Sequence, residues 1–156
     1  MIAMNIRNPA RDPLADHVSL KDRMQHGELF SADCPSRAVL KHITSRWGVL
    51  LLVALLGGTH RFSDLRRKVG GVSEKMLAQT LQELEGDGLV IRKSYDVVPP
   101  HVDYTLSPLG LEAAQRIETL TDWIEMSLPR IMAARQEKEE GKEDVKENAK
   151  EGRAGK

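Results

Sequence analysis

The strongest constraint on this chain is the order of patterns between Arg61 and Leu106: short helix, glycine pair, amphipathic helix, glycine turn, then two β-patterned runs. Arg61-Phe62-Ser63-Asp64-Leu65 opens a helix expected to end near Val69, and Gly70-Gly71 supplies the turn after it. A second helix begins at Ser73. Its apolar Leu77, Leu81 and Leu84 recur on one side, while Lys75, Gln79 and Gln82 project from the other. Gly86-Asp87-Gly88 ends it. The runs Leu89 to Tyr95 and Val102 to Leu106 read as strands of a hairpin, and Pro99-Pro100 stiffens its tip.

The flanks complete one core. Asp33-Cys34-Pro35-Ser36 is a helix start, because proline is tolerated in the first turn and a small polar side chain can cap free N–H groups. That helix is expected to run to about Ser45, with Val39, Leu40, Ile43 and Trp47 as one buried stripe. From about Trp47 to Leu56 the pattern is apolar almost all round, so this helix should form the centre of the core; Gly57-Gly58 closes it with a left-handed cap. Ser107-Pro108 starts a long last helix with apolar Leu111, Ala114, Ile117, Leu120, Ile124 and Leu128, and Pro129 is expected to kink it or end its regular part. The fold class is therefore mostly α with a small β-hairpin wing (α+β), a winged helix-turn-helix. Residues 1–27 read as a flexible arm, 28–136 as the folded domain, and 137–156 as a charged flexible tail.

Composition narrows the function. Hydrophobic residues make up 40% of the 156 and aromatics 4%, so the core must be aliphatic. The longest apolar run, Val49 to Leu56, is far shorter than the roughly 18 residues a membrane span needs, and the N-terminus shows no apolar signal region. A cytoplasmic protein without membrane contact is expected. The single cysteine, Cys34, excludes an internal disulfide and a cysteine-rich zinc site, and the histidines lack ligand spacing. No glycine-rich phosphate loop, H-E-x-x-H motif or nucleophile with a partnered base is present. The expectation is no enzyme, no cofactor and no metal.

Net charge is zero, 23 basic against 23 acidic residues, so the distribution of charge matters more than its sum. Arg61, Arg66, Arg67, Lys68, Lys75, Arg92 and Lys93 cluster in the helix-turn-helix and wing segments. In such a fold the second helix of the turn lies in the major groove, where its outward side chains meet base edges and basic groups beside them neutralise phosphates.

The chain resembles the HxlR-type family of bacterial transcriptional regulators, relatives of the MarR type, over about Cys34 to Trp123. The resemblance rests on Cys34-Pro35, Arg46-Trp47, Arg61-Phe62-Ser63-Asp64-Leu65-Arg66, Val72-Ser73-Glu74-Lys75-Met76-Leu77, Leu84-Glu85-Gly86-Asp87-Gly88-Leu89-Val90, Val98-Pro99-Pro100-His101-Val102-Asp103-Tyr104 and Leu106-Ser107-Pro108-Leu109-Gly110. It implies a homodimer held by the first and last helices that binds a palindromic operator in double-stranded DNA. The recognition helix would be about Ser73–Glu85, and the wing, about Arg92–His101, would lie on the backbone or in the minor groove. Family members often carry basic residues at the positions of Thr80, Gln82 and His101. The DNA-contact set is then Arg61, Ser63, Ser73, Lys75, Met76, Gln79, Thr80, Arg92, Lys93 and His101.

Each of these has a plainer reading. Lys75, Gln79, Arg92 and Lys93 could form ordinary solvated faces, and acids close by could cap the helix that Arg61 opens. Cys34 is a candidate sensor of an oxidant or small-molecule effector, since a thiol at a helix start near Arg37 favours the thiolate, as against a small buried hydrophobe at a dimer interface. Some members of the resembled family sense oxidants or electrophiles near this point. The alternative function is a winged-helix module for protein–protein contact without DNA.

Overall fold

The computed structural model describes residues 29–154; the expected arm lies outside them. Five helices and three strands appear among the described residues: α1 (Pro35–Thr44), α2 (Arg46–Leu55), β1 (His60–Arg61), α3 (Phe62–Lys68), α4 (Glu74–Gly86), β2 (Val90–Tyr95), β3 (His101–Leu106) and α5 (Pro108–Ala154). This is the expected class, mostly helical with a small antiparallel sheet. No single helix among them is long and apolar enough to cross a membrane.

The chain divides after His42 into two units. In the first, α1 starts where Pro35 allows, and the Cys34 carbonyl accepts a hydrogen bond from the Arg37 N–H at 3.0 Å. No residue of α1 is fully buried; of its expected apolar stripe Val39 and Leu40 are exposed, Leu40 at 49%, while Ile43 and Trp47 are partly buried.

The second unit holds the core. Ser45 caps α2, its hydroxyl accepting from the Gly48 N–H at 3.0 Å. Leu51, Leu52 and Leu55 of α2 are fully buried with Leu65 of α3 and Leu77, Leu81 and Leu84 of α4. Helix α2 packs on α3, α4, β3 and α5, which makes it the hub that sequence patterning indicated. Aliphatic burial at about 25 cal/mol per Å² is the main force holding these helices together.

The sheet has the order β1-β3-β2, all antiparallel. Strand β1 has two residues, too few to show a period. It exists because His60 pairs with Tyr104 and Arg61 with Asp103, which places β3 in the middle of the sheet. The hairpin register runs from Val90 opposite Leu106 to Tyr95 opposite His101, leaving Asp96 to Pro100 as the loop, with a cis peptide at Val98-Pro99.

Helix α5 departs from the sequence reading in one respect. Pro129 does not end it; the helix continues to Ala154 through the charged segment expected to be a flexible tail. Lost N–H bonding at one proline is local, and the following sequence is rich in strong helix formers. Of its expected apolar positions only Ala114 and Ile117 are buried, while Leu111, Leu120, Ile124 and Leu128 are exposed.

Candidate nucleic-acid interface

The geometry of α4 starts with its cap. The Ser73 backbone is extended, φ −75° and ψ 155°, and its hydroxyl accepts from the Met76 N–H at 3.1 Å. One free N–H of the first turn is thereby satisfied, and the helix axis is set with Leu77, Leu81 and Leu84 inward. Lys75, Ala78, Gln79 and Gln82 are consequently exposed, and Met76 is partly so.

Thr80 must be withdrawn from the contact set. It is 3% exposed, and its hydroxyl donates to the Met76 carbonyl at 2.7 Å. Four residues on from Met76, it falls on the side that faces the core.

The basic cluster is largely paired. Arg66 of α3 binds Glu74 of α4 and so ties the two helices of the turn together. Arg67 binds Asp64, and this guanidinium holds the Asp64 carboxyl below the usual carboxylate range. Asp64 lies in the first turn of the helix that Arg61 opens, and the Arg61 backbone lowers its carboxyl pKa further. The Lys68 ammonium donates to the Ala54 carbonyl at 3.4 Å and lies 3.3 Å from His60 Nε2. Lys75 and Arg92 remain exposed, with neither in an ion pair among the described residues.

The wing is ordered by rings. Tyr95 and His101 stack with centroids 4.6 Å apart, and the Lys93 ammonium sits 4.9 Å from the Tyr95 ring centroid. Asp103 lies 4.0 Å from both His101 Nε2 and Arg61 Nε, so Arg61 and His101 share a carboxylate. Ser63, Arg61, Pro99 and His101 line one depression between the start of α3 and the wing tip. Ala78, Gln82 and Glu85 of α4 line another with Arg92 and Tyr104.

Of the expected residues, the structure brings Arg61, Ser63 and His101 together at one depression, sets Arg92 against α4 at another, leaves Ser73, Lys75, Met76 and Gln79 exposed along α4, and buries Thr80. Sequence reasoning left Ala78 and Gln82 out of the contact set, although their spacing of three and seven from Lys75 is the signal for one helical face.

A capped, uncovered second helix beside a three-stranded sheet with a hairpin wing defines a winged helix-turn-helix protein. Residues 42–132, more than half of the chain, match the HxlR-like helix-turn-helix family, and the chain belongs to that family. It is 62% identical over 121 residues to the HTH-type transcriptional regulator YtfH of Escherichia coli (strain K12), covering 78% of this chain and 96% of that one. The structure of ytfH from Salmonella typhimurium is 66% identical, covers 69% of this chain and 96% of its own, and superposes with a TM-score of 0.67. The oxidised redox regulator HypR is 33% identical over 60% of this chain and 96% of its own, with a TM-score of 0.55. Its relatives are transcriptional regulators, redox regulators among them.

Proposed function

We propose that this chain regulates transcription in the cytoplasm by binding a palindromic operator as a homodimer, with α4 in the major groove and the β2–β3 wing on the backbone or in the minor groove. The observation that carries this reading is the outward face of α4: helix-capped by Ser73, uncovered, with Lys75 unpaired and Arg92 on the neighbouring strand. A helix of this width fits the major groove, and two copies about one duplex turn apart would read symmetric half-sites. The exposed apolar residues of α5, with Trp123 at 58%, supply a surface for the twin subunit. Duplex binding that weakens steeply with salt tests the proposal; a chain that retains no operator DNA even at low salt is instead a protein–protein module.

Cys34 is the proposed point of control. It is partly exposed at the start of α1 and is the chain's single cysteine, so any disulfide joins two subunits. Two such thiols reacting with hydrogen peroxide would form one disulfide and two waters, the peroxide taking up two electrons and two protons. The redox regulator among the relatives supports this reading. Cys34→Ser should bind DNA normally and lose the response to peroxide; an undiminished response excludes this thiol.

A further inference from the structure

Several outward side chains of α4 could touch bases, and their bonding distinguishes them. The Gln79 amide donates to Glu83 Oε1 at 3.1 Å, four residues along the same helix, so its head group already has a partner. Glu74 is held by Arg66. Among the described residues Lys75 and Gln82 carry no such internal bond, and Ala78 presents a bare methyl between them. These three stand at i, i+3 and i+7, a spacing that puts them on one strip of the helix surface. At 1.5 Å per residue the strip from Lys75 to Gln82 is about 10 Å long, or about three base-pair steps of 3.4 Å.

We infer that Lys75, Ala78 and Gln82, rather than Gln79, set the base sequence this protein recognises, and that each half-site holds a G·C pair and an A·T pair about three base pairs apart. The inference rests on the placement of α4 in the major groove proposed above. Lysine donates to the guanine O6 and N7 acceptors; a glutamine amide donates to adenine N7 while accepting from N6; and an alanine methyl packs on the thymine methyl. The lysine end of the strip therefore reads the G·C pair and the glutamine end the A·T pair. Arg92 lies beside Gln82 across a shallow depression, where it can hold a phosphate and fix how far that end of the helix enters the groove. Gln79 has a different part: its amide donates to one oxygen of the Glu83 carboxylate.

The test is selection from a randomised duplex pool by the full chain and by Lys75→Ala, Gln82→Ala and Gln79→Ala, each checked for helical content and oligomeric mass. The expected result is a symmetric motif in which Gln82→Ala flattens the preference at one A·T position by about tenfold, Lys75→Ala flattens a G·C position about three pairs away, and Gln79→Ala leaves the motif intact. A motif altered by Gln79→Ala and untouched by Gln82→Ala overturns the inference while leaving the DNA-binding reading in place. Failure of the unsubstituted chain to enrich any sequence overturns both. Gln82→Glu provides a second reading of the same position, because a carboxylate should move its preference towards cytosine; an unshifted preference counts against the assignment.

Discussion

Gly110, in the first turn of α5, touches the Leu89 carbonyl so closely that an added Cβ would lie 1.8 Å from the oxygen. The contact clamps α5 onto the joint between α4 and the wing. Ser107 closes the same joint: its N–H donates to the Leu89 carbonyl at 3.0 Å, its hydroxyl donates to Gly88 O at 2.6 Å, and the Ser107 hydroxyl oxygen accepts from the Gly110 N–H at 2.9 Å. Gly88 turns the chain there with φ +74°, a conformation that side chains with a Cβ seldom adopt. The angle between recognition helix and wing therefore depends on a few backbone atoms.

Gly110→Ala should cost about 3 kcal/mol or more, since the obstacle is backbone and cannot swing aside. Urea denaturation measures it. A loss below about 1 kcal/mol would mean that the joint yields easily.

Ser107→Ala removes a buried hydroxyl that serves two backbone groups, and should cost about 1–3 kcal/mol through the Gly88 carbonyl and Gly110 N–H left behind. The same denaturation experiment applies, and operator affinity should fall along with stability because the wing loses its anchor. Full stability in Ser107→Ala would show that water replaces the hydroxyl.

Thr80→Val keeps the shape of the side chain and removes only its bond to the Met76 carbonyl. Operator affinity should change less than about twofold, since a buried group cannot reach DNA and net hydrogen-bond worth is about 1 kcal/mol. A tenfold loss in a band-shift titration would restore Thr80 to the contact surface.

Arg92→Ala should weaken operator binding and lower the slope of log affinity against log salt by about one per subunit, as expected of a cation that neutralises a phosphate. Arg66→Ala should leave that slope nearly unchanged, because Arg66 already neutralises Glu74. Equal slopes for the two variants would contradict the division between paired and free cations.

Ile124→Glu places a charge on the exposed apolar face of α5. Light scattering should show a shift from dimer to monomer mass, with operator affinity lowered accordingly. An unaltered mass at micromolar concentration would move the subunit contact elsewhere.

Much of the architecture was legible because periodicity and punctuation are local. The 3.6-residue rhythm of Leu77, Leu81 and Leu84, the Ser73 cap, and the glycines after α2, α3 and α4 each act within a few residues. They determined the order of elements and which side of α4 faces outward. The wing strands were equally plain from their flanking turns. Of the two outcomes open at Pro129, a kink or an end, the helix does not end, because the segment after it is rich in strong helix formers.

What the tertiary structure alone decided depends on residues far apart in the chain. Strand β1 follows from His60 meeting Tyr104, and the status of the basic cluster follows from Arg66 reaching Glu74 and from Arg61 sharing Asp103 with His101. Likewise, whether an apolar side chain is covered depends on what the rest of the fold brings to it: Ala114 and Ile117 are buried while Leu120 and Ile124, on the same helix, are exposed. A residue's chemical type and spacing are properties of the sequence. Its partner is a property of three-dimensional neighbourhood, since hydrogen bonds, ion pairs and desolvation act over a few ångströms whatever the separation along the chain.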